Sequence, residues 1–390
     1  MSKQNSLKII VPVFVSFYVM GFVDLVGMAT GYVKDDYQLS ESVAQLLPSM
    51  VFLWFALLSI PTGIFQDRKG KKLTVNIGMM ITGVGMLVPF IHYTYPTALI
   101  GFIILGIGNT ILQVSANPLL LDISSRESQA ANLSLSQFIK AGAAMLGPII
   151  TGILVRATGN WKLIFPIYAG ISFLSVIWLY SVKIEESKPD KPPASLRSVL
   201  VLFRIPFVAI MVLSTFLMVG FDVGMNSNIA NFLKTKFSIS LESASLGISL
   251  YFASLMVGRF AGAILLRKIN SNGFLGFSVI LCLIGMAGVL ISDNLVLTRI
   301  MVFVAGLGFS NTFPIVFAMI VDRMPEYANE LSSLIILSVI GGAIIPPLMG
   351  LLSDNVGVTV SMLVLVACII YVGFATIYAI RARTRKNQIQ

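Results

Sequence analysis

Runs of about twenty apolar residues recur twelve times along this 390-residue chain, and that repetition fixes the fold class. An α-helix rises about 1.5 Å per residue, so each run can cross about 30 Å of hydrocarbon. Inside hydrocarbon the backbone must satisfy its own polar groups, which leaves only helices or closed barrels. Continuous apolar runs of this length select helices. They fall near 8–33, 43–65, 74–91, 96–121, 130–155, 162–182, 200–229, 242–266, 274–292, 295–320, 329–352 and 357–380. Hydrophobic residues make up 56% of the chain and charged residues 11%, against roughly 25% charged in soluble domains. The expectation is an all-α membrane protein of twelve transmembrane helices. The first run contains Asp24 and is followed by no small-residue cleavage pattern, so it reads as a retained helix and not a signal peptide.

The net charge of +10 does not call for nucleic acid. With the N-terminus inside, 19 of the 27 Lys and Arg residues fall in segments on the cytoplasmic side. Only Lys34, Arg156, Lys162, Lys234, Lys236 and Arg299 fall outside. That is the positive-inside asymmetry of a multi-pass protein with both termini cytoplasmic. A bacterial cytoplasmic membrane is the expected location, and a monomer the expected state. Cys282 and Cys368 both lie within apolar runs, so no disulfide framework is expected.

The longest polar connection between runs starts at Lys183. Its centre, Glu185-Glu186-Ser187-Lys188-Pro189-Asp190-Lys191-Pro192-Pro193, is charged and proline-rich and favours an extended linker. It divides the chain into a six-helix half at 1–182, a linker at 183–199 and a second six-helix half at 200–390. Every other gap is short, which leaves no room for a soluble catalytic or signalling domain. Prolines inside the runs, at 48, 61, 118, 148, 314, 346 and 347, and frequent glycines are expected mainly to serve close helix packing.

Four charges lie deep in the runs: Asp24, Lys140, Asp222 and Arg259. A charge in hydrocarbon costs several kcal/mol and marks a pathway, relay or ligand site. Two of the four repeat. Met20-Gly21-Phe22-Val23-Asp24 returns as Met218-Val219-Gly220-Phe221-Asp222 half a chain later. An acid placed once in each half points to a transporter with its site between the halves. Asp24 lies sixteen residues from Lys8, about 24 Å along a helix, past the midplane. Both acids are candidates for loading and releasing a proton as access changes. Lys140 can serve as a counter-ion for Asp24 or as an anchor for an anionic substrate. Asn109, Gln113 and Asn117, four residues apart, form one stripe on the fourth helix. Amides suit a ligand rich in hydroxyls because each both donates and accepts. Asn226 and Asn311 are the corresponding candidates in the second half. Arg259, eight residues from Arg267, reads as part of an inner gate. The sequence carries no metal-ligand spacing, nucleophile triad or nucleotide-binding loop, so neither enzymatic activity, a metal nor a cofactor is expected.

Gly63-Ile64-Phe65-Gln66-Asp67-Arg68-Lys69-Gly70-Lys71-Lys72, between the second and third runs, resembles the Gly-x-x-x-Asp-Arg-x-Gly-Arg/Lys-Lys loop of the major facilitator superfamily. Further stretches are similar to the fucose:proton symporter family within it. They are Ser115-Ala116-Asn117-Pro118, Gly258-Arg259-Phe260, the tenth-run string Gly306-Leu307-Gly308-Phe309-Ser310-Asn311-Thr312-Phe313-Pro314, and the eleventh-run string Val339-Ile340-Gly341-Gly342-Ala343-Ile344-Ile345-Pro346-Pro347-Leu348-Met349-Gly350. The resemblance implies two pseudo-symmetric halves, alternating access, a sugar site between the halves and coupling to a cation gradient. Asp222 occupies the family's acid position in the seventh span. Gln113 stands where the fucose permease has an acid, and Gly27 where it has another. Gln137 keeps a family position in the fifth span, and Lys140 replaces an Asn three residues on. Gly63, Asp67, Arg68 and Gly70 are the expected gating residues. The expected function is import of a monosaccharide, coupled to protons. Import of an acidic sugar such as a uronate or sialic acid is the alternative, with export of small amphipathic compounds or a transporter-like sensor behind it.

Overall fold

The computed structural model describes residues 7–124, 129–186, 201–266, 269–324 and 327–387. From 187 onward, the linker expected at 183–199 lies outside the described residues. Twelve helices are long and apolar enough to cross a membrane: α1 Leu7–Tyr37, α2 Glu41–Lys69, α3 Lys71–Ile91, α4 Tyr95–Ile123, α5 Leu135–Thr158, α6 Trp161–Ser181, α7 Pro206–Phe237, α8 Leu241–Gly262, α9 Ser271–Ile291, α10 Leu295–Arg323, α11 Leu334–Val356 and α12 Val358–Arg381. The helix of α5 itself begins at Gln129 and that of α8 continues to Leu265. Short connections make successive helices antiparallel. The ends at residues 7, 70, 124, 266 and 324 therefore share one face, called the terminal face, and those at 38, 92, 159, 238, 292 and 357 share the opposite, distal face.

Local chemistry repeats between the halves. Helices α1 and α7 stop at a left-handed residue, Gln38 and Ser238, and the next helix is capped by Ser40 and Ser240. Thr94 and Asn294 cap α4 and α10 in the same way. Each pair is 200 residues apart, so the turns of the first half recur in register in the second.

Three helices break in mid-span. In α1, residues Gly21–Asp24 wind as a 3-10 turn. In α10 the helix interrupts between Phe309 and Thr312, and in α11 at Ser338–Ile340. A mid-helix 3-10 turn redirects carbonyls that the regular ladder would use. In α1 those carbonyls find side-chain amides from other helices. The Met20 carbonyl accepts from Asn109 of α4 at 3.0 Å, and the Asp24 carbonyl from Asn226 of α7 at 2.9 Å. The second copy of the Asp24 motif does not break: Asp222 sits in a continuous α7.

Each half has an aromatic core. In the first, Phe22 stacks on Tyr168 at 4.0 Å, and Trp161 packs on Tyr32 and Phe165. In the second, Phe221 lies 4.8 Å from Phe309. Between the halves, α1 packs on α7, α2 on α11 and α5 on α8. Small residues permit these approaches. Gly27 lies against Asn226, and Gly350 against the backbone of Glu41 and Ser42.

Candidate functional site

The four intramembrane charges converge between the halves. Asp24 interacts electrostatically with Lys140, Asp222 and Arg259, and Lys140 with the same group. All four are half-buried, neither sealed in the core nor facing lipid freely. Asp222 accepts a hydrogen bond from the Tyr251 hydroxyl at 2.7 Å. Arg259, expected at an inner gate, belongs by position to this central group.

The expected ion pair between Asp24 and Lys140 is not formed. Neither residue enters an ion pair among the described residues. The ammonium of Lys140 instead faces the Gln113 Oε1 at 3.5 Å. Gln113 donates to Asn109 Oδ1 at 2.7 Å, and Asn109 donates to the Met20 carbonyl. A relay thus runs from the broken turn of α1 through the α4 stripe to Lys140. The amide of Gln113 takes the near position, and Asp24 acts on Lys140 only at longer range.

The remaining amides divide. Asn226 spends its donor on the Asp24 carbonyl, and its Oδ1 has no partner. Both donors of Asn311 are used within the second half, on the Gly258 carbonyl at 2.7 Å and Ser310 Oγ at 2.9 Å. Asn311 therefore braces α8 against α10. The Asn117 Oδ1 is buried without a partner. Gln137 is half-buried one turn before Lys140.

Hydrogen bonds and ion pairs that join the halves run from the level of Asp24 to the distal face. Ser49 donates to the Ala343 carbonyl at 2.7 Å, Ser249 to Met145 at 2.9 Å, and Gln45 to Asn228 at 3.0 Å. Nearer the face, Lys34 pairs with Glu41, and both contact Asn231 of α7. Lys234 pairs with Asp35 at 2.5 Å. At the rim, Asp354 accepts from the backbone N–H groups of Glu41 and Ser42 at 2.8 Å each and from the Ser42 hydroxyl, so α11 caps the start of α2. In the matching place, Arg156 of α5 pairs with Glu242 in the first turn of α8 at 2.5 Å. Within the first half, Asp36 accepts from Tyr93 and Trp161. Burial, helped by that bond, pushes the Tyr93 phenol up from its usual range and keeps it a donor.

Hydropathy and charge placement do not single out this distal latch, although a signal for it exists. Gly63, Asp67 and Gly70 share their spacing with Gly350, Asp354 and Gly357, and with Gly152, Arg156 and Gly159. Gly70, Gly159 and Gly357 are also the positive-φ glycines of the chain, at 98°, 71° and 95°. Each repeat is a helix end that closes on a left-handed glycine. At the distal face the first glycine of each lies against the other half: Gly350 on Glu41 and Ser42, and Gly152 on Glu242. At the terminal face a Cβ added at Gly63 would meet nothing within 4 Å among the described residues. Asp67 is half-buried and Arg68 exposed, and Asp67 makes no hydrogen bond or ion pair among the described residues. The basic end of that loop is anchored within its own half. Glu186 accepts from the Lys71 and Lys72 backbone N–H groups at the start of α3, and Lys71 pairs with Asp122 at 2.6 Å. Among the described residues, the hydrogen bonds and ion pairs between the halves lie on the distal side, and a side chain at Gly63 would meet none of them.

Known proteins share this architecture. Over 374 residues the chain is 23% identical to a glucose/galactose transporter of Brucella abortus, covering 92% of this chain and 90% of that one. It is 26% identical to a putative glucose/galactose transporter of Helicobacter pylori, covering 89% of each. The crystal structure of the E. coli fucose:proton symporter superposes with a TM-score of 0.67 at 17% identity, covering 95% of this chain and 98% of that chain. The profile of the Major Facilitator Superfamily matches residues 13–346. With its twelve helices and its two sets of repeated turns, this multi-pass membrane protein belongs to the Major Facilitator Superfamily.

Proposed function

We propose that the protein imports a monosaccharide into the bacterial cytoplasm by alternating access, driven by protons. The observation that carries this reading is the central group of Asp24, Asp222, Lys140 and Arg259 beside the amides of α4, placed between halves that are joined at the distal face. Relatives that cover about nine-tenths of the chain are named as glucose/galactose transporters. In this reading the terminal face is cytoplasmic, as the basic residues demand, and the membrane is the inner one. The halves 1–182 and 200–390, joined by the linker at 183–199, rock about the site as a monomer. Asp24 and Asp222 take up and release the coupling proton. Gln113, Asn117, Gln137 and Lys140 meet the sugar, with Asn109 and Asn226 holding the broken turn of α1 beside it and Asn311 bracing α8. Gly63, Asp67, Arg68 and Gly70 close the cytoplasmic side in the alternate state, in the manner of Asp354 at the distal side.

The test is uptake by purified protein in liposomes, with an inward proton gradient and a panel of radiolabelled monosaccharides. Accumulation of at least one sugar above its equilibrium level, abolished by a protonophore, is the expected result. Failure of every sugar to be bound or accumulated would overturn the reading.

A further inference from the structure

Two cations in the central group have no carboxylate partner, and both stand at one depth on facing helices. Gly142 of α5 faces Met256 of α8, where an added Cβ would lie 3.8 Å from the sulfur. Lys140 is two residues from that contact and Arg259 three, both toward the terminal face, because α5 and α8 run antiparallel. The charge of Lys140 interacts most with the Asp24 carboxylate, then with the Arg259 guanidinium and with Asp222. Lys140 has one long hydrogen bond, to Gln113, and Arg259 has none among the described residues. Asp24 and Asp222 balance the two cations only at longer range, which leaves both cations with N–H groups free of a carboxylate in a low-dielectric interior. Such a pair is the usual receptor for a carboxylate, which a guanidinium grips through two parallel N–H groups.

Resting on the sugar-import reading, we infer that the substrate is a monosaccharide bearing a carboxylate, clamped between Lys140 of the first half and Arg259 of the second. Charge balance agrees. The empty group holds two acids and two bases and is formally neutral. Protonating Asp24 leaves an excess of one positive charge. A substrate with one carboxylate restores neutrality, so the loaded site carries the same charge as the empty one through the conformational change. A clamp with one jaw on each half also ties substrate binding to closure of the halves, since neither cation alone completes it. The amides Gln113 and Asn117 then remain for the ring hydroxyls.

The experiment uses the wild-type chain in liposomes with galacturonate, glucuronate, galactose and glucose. The uronates are expected to accumulate when a pH gradient is imposed, with galactose and glucose competing poorly. Their uptake should not respond to a potassium–valinomycin membrane potential, because one anion and one proton enter together. Lys140→Gln and Arg259→Gln should each weaken uronate binding about tenfold to hundredfold, the worth of a charge-assisted contact. Each variant should still elute as a folded monodisperse protein. Uptake of neutral hexoses that uronates do not inhibit would overturn this inference and leave sugar import standing. Potential-driven uptake of a uronate would overturn the charge-balance argument and with it the clamp as described. Failure of all four sugars would overturn the import reading itself. The wild-type panel decides the matter even if a variant fails to fold.

Discussion

Asp24 concentrates the proposed coupling in a single exchange of oxygen for nitrogen. Asp24→Asn keeps the size of the side chain but cannot take up and release the coupling proton. The main-chain role survives, because it is the Asp24 carbonyl, not the carboxylate, that accepts from Asn226. The variant should therefore lose accumulation against a gradient while preloaded liposomes still exchange labelled for unlabelled sugar. If it still concentrates sugar in response to pH, coupling lies elsewhere, with Asp222 the next candidate. The residues of this site were legible by type and depth, since few reasons exist to bury a charge in hydrocarbon. Their partners were not. Asn109 and Asn226 look like sugar ligands in sequence, yet each donates to a carbonyl of α1 that is 89 or 202 residues away. The 3-10 turn that frees those carbonyls is not encoded locally: Asp222 sits in a near-copy of the same five residues and its helix runs straight. The glycine of each copy packs closely on another helix, Gly21 on the Lys140 backbone of α5 and Gly220 on Ile345 of α11.

At the scale of elements, the repeated helix end explains how a face can be both sealed and easily opened. Exposed ion pairs are worth little, about 0–1 kcal/mol each, and Arg156 is 76% exposed in its pair with Glu242. An N-cap is worth about 0.5–2 kcal/mol. Asp354, which accepts from two backbone N–H groups of α2, thus contributes more to the distal latch than the exposed pair does. Asp354→Ala should shift the population toward the distal-open state by roughly twofold to thirtyfold. Spin-label distances between the distal ends of α2 and α11 would report it, and an unchanged distribution would contradict the latch. The mirrored case is Asp67. Among the described residues Asp67 makes no hydrogen bond or ion pair, so Asp67→Asn should slow turnover while leaving sugar affinity within about twofold, if the side chain acts in the alternate state. Lost binding with normal turnover would contradict this. The loop around Asp67 was readable from spacing alone. Its counterparts at Arg156 and Asp354 are hidden because a charge at a span edge is ordinarily solvated, and only the shared glycine geometry reveals that they are the same device.

For the whole molecule, apolar length was enough to read twelve spans, because crossing hydrocarbon imposes one requirement and the residues either meet it or do not. The proposed orientation rests on the Lys and Arg bias, and reporter fusions after Lys191 and at Gln390 should both read as cytoplasmic. What apolar length leaves open is the state in which the halves rest, because that depends on weak contacts between residues about 200 or 300 positions apart, such as Lys234 with Asp35 and Asp354 with Ser42. Alternating access makes a strong demand on those contacts: they must break in every cycle. Cysteines at positions 42 and 354 would join α2 to α11 across the distal face. The native thiols, Cys282 and Cys368, are buried and should stay out of the reaction. Oxidised Ser42→Cys/Asp354→Cys protein should lose more than about tenfold in uptake and recover on reduction, provided the reduced double variant itself transports at a measurable rate. Sugar should still bind to the oxidised protein from the terminal side, because the lock spares that face and the central group. Full uptake with the disulfide formed would mean that the halves do not separate at this rim, and that the distal contacts are a fixed seam of the fold and not a gate.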